Sequence, residues 1–569
     1  MQRGQHDVIQ SNRPAPPSAV QENTMDLSDA FEQLDGFVRA RMAADGTPGL
    51  ALALTDREKT LHHAEYGVAD RGAGTAVGPE TMFEIGSIGK SFTAILLVRL
   101  AEAGAIDLQA PVTRYLPWFE VRSDQPPITL HHLLTHTAGI TVGTDSTPDA
   151  RSEVWALRDV EVGGPPGERF HYSNVGYKVL GLVLEAVTGR AYPELMQAEI
   201  IAPLGVADMA PALVHALRPR MAVGYRRAVD DLTGPSDLSL VPAPWLESDT
   251  ADGCIAASAS AIATYLRMLL NRGAVPNGTI LSPTGFDLMT KPYATFGGAG
   301  TYGYGIRVDE IDGRRLIGHP GGMIGFAASM DGDRDARVGA VVLVNGPGRE
   351  WEIGEYALSL LVAAAEGRDL PEPPALADPR EVPDAAAYAG AFRSGDRVLT
   401  VVADGDALAA VMPGGERVDL ERYDDDAFVV RHPAYARFPL RFGRIDGRVV
   451  EAWHGAEWFA GDGYDGPTEF SLPTAWAAYP GHYRSHNPWA TNFRVVARKG
   501  KLWLLMPGAP LDSIGDEEPL APLGEPAAGR FRVGADPASP ERLEFDTIVD
   551  GQALRARLSG GAYYRFFTP

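Results

Sequence analysis

The chain has 569 residues, 45% of them hydrophobic and 22% charged. That is the make-up of an ordinary globular protein too long for one hydrophobic core, and it predicts two to four domains. The formal net charge of −23 excludes nucleic acid and anionic membranes as main partners. The single cysteine excludes an internal disulfide and a cysteine-based zinc site.

The first 25 residues are polar and Pro-rich, with no apolar stretch. They read as a disordered tail and not as a signal peptide, and Met25 is an alternative start. No run of about 18 apolar residues follows, so a cytoplasmic setting is expected. From Met25 to Arg41, Leu27, Phe31, Leu34 and Val38 recur at helical spacing. GLALALTDREKTLHHAEYGVAD then predicts two short strands around a charged turn. In FEIGSIGKSFTAILLVRLAEAGAIDLQAPV the helical run spans Ser87 to about Ala103 and stops at Gly104. Further helices are expected at HHLLTH, GYKVLGLVLEAVTG and SAIATYLRMLLNRG, and strands at YGIRVDEI, RRLIGHPG and ARVGAVVLVNG. Cys254, in the apolar run DGCIAASASAIATYL, reads as a buried packing residue. Strands at both ends with helices between predict an α+β domain over residues 26–366, with one antiparallel sheet flanked by helices.

Residues 367–386 form a Pro- and charge-rich linker. Beyond it the sequence repeats. Tyr-x-Gly-x-aromatic-Arg-Ser occurs at Tyr388–Ser394 and again at Tyr479–Ser485, and each copy later reaches Met-Pro-Gly, at Met412 and Met506. Alternating apolar residues between Gly/Asp turns predict two related antiparallel β-barrels, residues 387–475 and 476–569. The second copy carries an insertion, HNPWATN, whose Trp489 is a candidate wall of a binding cleft.

The stretch FEIGSIGKSFTA contains IGKS, the tail of a phosphate-binding loop. That loop needs a glycine at position 84, where Glu84 stands, and a carboxylate there repels phosphate. GAGTYG (Gly298, Gly300, Gly303) fits a dinucleotide pattern but is followed by a strand, not a helix. The same stretch also reads SIGK, with Ser87 and Lys90 at i and i+3 on one helix face. Gly86 lets the chain turn into that helix, whose N-terminus favours negative charge on the serine oxygen. Burial of Lys90 disfavours the ammonium and lets the amine act as a base. Lysine is scarce, with only Lys59, Lys90, Lys178, Lys291, Lys499 and Lys501 present, which makes its position here more informative. Tyr172-Ser173-Asn174 is the only Tyr-x-Asn in the chain, and His319-Pro320-Gly321 is the only His-x-Gly. No G-x-S-x-G or H-E-x-x-H is present to suggest another hydrolase.

With these three motifs, and with ITLHHLLTHTAGI and PPGERFHYSNVGYKVLG, the chain from Leu27 to Ala365 resembles the serine β-lactamase and penicillin-binding protein superfamily. The likeness is to its class C β-lactamase, D-aminopeptidase and family VIII esterase branch. The two repeats are similar in layout to the lipocalin-like barrels of D-aminopeptidase. The resemblance implies a β-lactamase/transpeptidase-like catalytic domain followed by two lipocalin-like barrels. It implies Ser87 as acylated nucleophile, Lys90 and Tyr172 sharing proton transfer, and Asn174 orienting Lys90 or the substrate amide. Where lactamases carry Lys-Thr-Gly this chain has His319-Pro320-Gly321. A mostly neutral histidine holds a substrate carboxylate less well than lysine does, which favours ester or amide substrates over β-lactams. Pro320 has no N–H, so the oxyanion hole is expected from Ser87 and Gly322, beside Gly321. The expected activity is hydrolysis of an amide or ester, first as a D-aminopeptidase-like peptidase. The alternatives are a carboxylesterase and a penicillin-binding receptor that never turns over. The expected partner is a small molecule or short peptide, with no nucleic acid, no membrane and room for a homo-oligomer, and neither cofactor nor metal is called for. His132 and His136 at i and i+4 suit a metal but lack a third ligand. The acidic stretch from Asp512 to Pro519 reads as a solvated loop, or as one reaching the site to attract a substrate amine.

Overall fold

Leucine and alanine alternate along strand β1 (Gly49–Thr55), and all seven residues are buried, because the strand lies mid-sheet with a core on each face. The computed structural model describes residues 27–144, 149–232, 239–298, 300–506 and 513–566. The tail read over residues 1–25, the alternative start at Met25, and Asp512 of the acidic stretch lie outside them. Strand β1 pairs with β2 (Thr60–Asp70), and β3 (Thr75–Ala76) closes that edge. On its other side come, from far to near, β4 (Ala294–Phe296), β5 (Gly300–Tyr302), β6 (Arg307–Ile311), β7 (Arg314–Met323), β8 (Phe326–Asp333) and β9 (Val338–Val344). Among the described residues these nine strands form one sheet, antiparallel at every pairing.

One face of the sheet is covered by helices α1 (Ser28–Asp45) and, later in the chain, Glu350–Ala365. Leu34, Phe37 and Val38 meet Leu50, Leu52, Val342 and Leu361 there. Helix α1 has the face the sequence predicts and runs on to Asp45, where Gly46 at φ 69° ends it. The other face carries α4 (Ala259–Leu270), packed on β1 and β9, and behind it α2 (Gly89–Glu102) and α3 (Asn174–Thr188) pack on each other in the core that also holds Ala51, Ala53, Val341 and Leu343. Two readings change. Glu350–Ala365, now α5, was not expected; its run YALSLLVAAA is apolar on nearly every side and shows little periodicity. The strand at RRLIGHPG does not stop before the glycines but continues through them to Met323.

Gly300 and Gly303 of GAGTYG lie in and after β5, which pairs with β4, and strand β6 follows them. Past α5 the Pro-rich segment carries no helix or strand until the turn Ala385–Ala387, and its Val382 is already buried in the next core. Two closed eight-stranded antiparallel barrels follow, Gly390 to Ala460 and Gly481 to Tyr564. The repeated residues fill them. Tyr388 and Phe392 pack with Phe428 and Phe442 in the first, and Tyr479 and Tyr483 pack with Phe545 in the second. Met412 and Met506 are buried in the same two cores. Among the described residues no helix is long and apolar enough to cross a membrane.

The barrels are joined through Arg498, which is 4% exposed. Its guanidinium lies 5.0 Å from the ring of Trp453 in the first barrel and 4.5 Å from Trp503 in the second. It donates to Gly455 O (2.9 Å) in the first barrel and pairs with Glu517 in the second, which also accepts from Trp453 Nε1 (3.1 Å). Replacing Arg498 by alanine takes from the largely buried Glu517 carboxylate its closest cation, leaving Arg441 at 3.8 Å and the Trp453 N–H, and should cost about 3 kcal/mol. Lysine should not restore it, having no planar fork to stack between two indoles. Urea unfolding of the variants checks this, and a loss under about 1 kcal/mol for Arg498→Ala would show the pair to be no more than a surface bridge.

Candidate active site

Gly86 is held at φ 52° in a place with no room for a side chain, since a Cβ there would stand 2.6 Å from Gly322 O and 2.8 Å from Gly322 N. It opens a single tight helical turn, Gly86–Ile88, that feeds into α2. Ser87 sits in that turn and Lys90 one turn further on, with no exposed surface. The Lys90 Nζ lies 2.9 Å from Ser87 Oγ, 2.7 Å from Asn174 Oδ1 and 2.8 Å from Asp252 O. Asn174 Oδ1 and the Asp252 carbonyl can only accept. They therefore take two N–H bonds of the nitrogen. In the neutral amine the lone pair then points at the Ser87 hydroxyl, the geometry a base needs.

Tyr172 and Asn174 flank Ser173, which caps α3 by accepting the Gly176 N–H (3.1 Å). The Tyr172 ring lies 4.9 Å from Lys90 Nζ. This segment is held from behind by His136, a buried residue at φ 54°. The His136 carbonyl accepts the His171 N–H (2.7 Å), its Nδ1 accepts the Ser173 N–H (3.0 Å), and its ring stacks on Tyr172 at 4.1 Å. Burial first, then the nearby Lys90, holds His136 well below the ordinary imidazole range. His132 instead accepts the Thr129 N–H (3.2 Å) and caps its own short helix. The two histidines thus serve different segments, and among the described residues no group of three His, Cys, Asp or Glu side chains is placed to hold a metal.

Strand β6 reaches only Gly318 of β7, so His319 to Met323 pair with β8 alone and their other edge faces Ser87. Gly321 approaches so closely that a Cβ would stand 2.0 Å from Ile85 O. Gly322 lies with both its N and its O against Gly86. His319 turns into the protein. Its Nδ1 donates to Pro320 O (2.5 Å) and its Nε2 accepts from the Tyr302 hydroxyl (2.7 Å). Burial pushes its pKa down to about 3, so it stays neutral. Tyr302, with Phe170 and His136, builds an aromatic wall beside Tyr172. Glu84 is buried and its pKa is pushed up to about 8 by desolvation. Cys254 is buried, donates to Pro211 O, and its thiol is raised by burial, away from any role as nucleophile.

The second barrel reaches this site. Ser513 Oγ donates to Tyr172 O (2.8 Å), and Asn487 Nδ2, in the insertion that carries Trp489, donates to Thr144 O (2.5 Å). A cavity of about 270 Å³ between the barrel and the α+β domain is lined by Arg169, Phe170, His171, Ser513, Glu518 and Asp536, among others. Within the acidic stretch, Asp516 pairs with Arg441 and Glu517 with Arg498, inside the barrel pair. Asp252, His136 and Tyr302 were not assigned to the site from sequence, whereas the insertion that holds Asn487 and the stretch that holds Ser513 were read as segments able to reach it. A backbone carbonyl leaves no trace in a sequence. Tyr302 was visible only inside a false glycine motif.

The chain matches the β-lactamase family over residues 34–364. It is 30% identical over 363 residues to penicillin-binding protein 4 of Amycolatopsis lactamdurans, covering 61% of this chain and 93% of that one. It is 30% identical over 242 residues to esterase EstB of Burkholderia gladioli, covering 39% of this chain and 61% of the esterase, less than two thirds of its length. In structure it is similar to the octameric penicillin-binding protein homologue from Pyrococcus abyssi, with a TM-score of 0.57 and 26% identity over 75% of this chain and 99% of that one.

The neutral state of His319 has a measurable cost in acid. Its pKa drops from 6.5 in the unfolded chain to about 3 in the native one. Between those values the unfolded state binds the extra proton, so this stability is complete above pH 6.5 and is lost as pH falls towards 3. Between pH 7 and pH 5, wild type should lose about 2 kcal/mol more than His319→Gln in urea unfolding. Equal losses would mean that His319 is protonated in the native site.

Proposed function

Because the chain belongs to the β-lactamase family of serine hydrolases, we propose that it cleaves an amide or ester through an acyl-serine intermediate at Ser87. The observation that carries this reading is the Lys90 nitrogen, held between Ser87 Oγ, Asn174 Oδ1 and the Asp252 carbonyl. Lys90 takes the Ser87 proton as the oxygen attacks the substrate carbonyl. The N–H groups of Ser87 and Gly322 receive the oxyanion, and Tyr172 hands a proton to the departing amine or alcohol. A water then attacks the acyl group, giving its proton back along the same path, and Ser87 is restored. Gly321 and His319 act indirectly: Gly321 allows the approach of β7, and His319 fixes the backbone at Pro320.

The first reading of the substrate is a short peptide or amide carrying a D-amino acid, as the likeness to D-aminopeptidase implies. A carboxylesterase is the second reading. It is favoured by the neutral, inward-turned His319, which leaves no cation at the third motif to hold a carboxylate, and by the likeness to an esterase. An acylated receptor without turnover is the third reading. Steady release of p-nitrophenol, against a single stoichiometric burst, separates it from the first two. Rates on D- and L-aminoacyl amides, small esters and nitrocefin separate the rest. Self-association is proposed by analogy with the octameric homologue, and the mass in solution tests it.

Ser87→Ala should abolish turnover and fluorophosphonate labelling while costing only about 1 kcal/mol of stability. Lys90→Ala and Tyr172→Phe should each slow the acyl steps by roughly 10²-fold or more. The double mutant should be far from additive, since both serve one proton path. Retained labelling in Ser87→Ala, or full additivity in the double mutant, overturns these roles.

A further inference from the structure

Glu541 belongs to the second barrel, yet its carboxylate is only 1% exposed and lies against the catalytic domain. Its Oε1 accepts from the Val142 N–H (2.8 Å) and from His171 Nε2 (2.9 Å), and its Oε2 accepts from the Ser559 hydroxyl. Val142 and His171 are the two ends of one brace. The Val142 carbonyl accepts the N–H groups of Asn174 (2.8 Å) and Val175 (3.1 Å), at the start of α3. His171 immediately precedes Tyr172 and donates its own N–H to His136 O. One carboxylate thus grips both sides of Tyr172-Ser173-Asn174. We propose that Glu541 is a positioning residue for Tyr172 and Asn174, so that the second barrel is a working part of the active site.

A contact serving only to dock the barrel has a different character. Arg169 and Asp536 supply one nearby, at 2.7 Å with side chains 59% and 48% exposed, and such pairs contribute little. Glu541 is the opposite case. A buried carboxylate is tolerated only where donors converge on it, and removing it leaves those donors unpaired. Burial alone would raise its pKa. The bonds from His171, Ser559 and the Val142 N–H outweigh that and hold it below the usual range, so the carboxylate is charged. A fixed charge gripping two loops by short bonds sets their spacing more tightly than apolar packing does. Loss of that spacing by a fraction of an ångström would move the Tyr172 hydroxyl and the Asn174 amide relative to Lys90.

The inference rests on the roles proposed for Tyr172 and Asn174, and the test keeps the two apart. In the full-length protein, Glu541→Ala should lower kcat on a p-nitrophenyl ester by on the order of 10- to 100-fold, with KM changed by less than about 3-fold. Glu541→Gln, which keeps an acceptor for the Val142 N–H but loses the charge facing His171, should fall between that variant and wild type. It also serves as the readable variant if Glu541→Ala does not fold, judged by near-UV circular dichroism. Arg530→Ala, which removes an exposed pair with Glu544 on the same barrel (2.9 Å), should stay within about 2-fold of wild type. In a Tyr172→Phe background, Glu541→Ala should add less than it does in wild type, because one of the two groups it positions, the Tyr172 hydroxyl, is gone. Wild-type kcat in folded Glu541→Ala or Glu541→Gln, with Tyr172→Phe slow, overturns the positioning role alone. So does a Glu541 effect undiminished in the Tyr172→Phe background. A fully active Tyr172→Phe overturns the catalytic reading and this inference with it.

Discussion

A lysine nitrogen with no exposed surface must find all its hydrogen-bond partners in the protein, and around Lys90 that requirement organises three separate parts of the chain. Helix α2 brings the lysine and Ser87, the start of α3 brings Asn174, and the loop at Asp252 brings a carbonyl. If either acceptor moves, a buried N–H is left without a partner, at a cost of about 1–3 kcal/mol. The same region holds a second buried lysine, Lys178, one turn along α3 from Asn174 and paired with Glu153 at 2.6 Å. Lys178 is matched by a carboxylate, and Lys90 meets the oxygens of Ser87, Asn174 and Asp252. Of the two buried lysines, Lys90 is the one beside Ser87, placed to exchange a proton with it.

Much of this was legible in the sequence because the informative residues are rare. Six lysines, one Tyr-x-Asn and one His-x-Gly leave few ways to assemble a site, and the structure brings Ser87, Lys90, Tyr172 and Asn174 together. The barrels were legible for another reason: Tyr388 and Tyr479 recur because each fills the same place in a closed core, so packing wrote itself into the sequence twice. What was not legible follows from physics as well. Proline and glycine argue against a strand interior, yet β7 runs through Pro320, Gly321 and Gly322, because that edge must come within contact of Ile85 and Gly86. His136 looked like half a metal site because its real partners, His171, Tyr172 and Ser173, are distant in sequence. Helix α5 escaped because a segment buried on most sides loses the periodicity by which helices are read.

The two repeats diverge where they touch other parts of the protein. Their cores keep the same aromatic plug, while their loops take different duties. The first barrel presents Trp453 and Gly455 to Arg498 of the second. The second barrel sends Asn487, Ser513 and Glu541 to the catalytic domain. Duplicating a stable barrel leaves its surface free to vary, since the closed strand ladder does not depend on what its loops carry. The polar character of these contacts is that of an interface formed after each part has its own core.

The bond between the Val142 N–H and Glu541 spans 399 residues of chain. At a synthesis rate of about 5–20 residues per second, roughly 20–80 s separate the emergence of its two ends. Throughout that interval the nascent chain carries Ser87 and Lys90 but not the carboxylate that braces the segment holding Tyr172. Translation order therefore works as a timer. Ser87 and Lys90 are synthesised well before Glu541, so the carboxylate that meets the Val142 N–H joins their surroundings only after that interval.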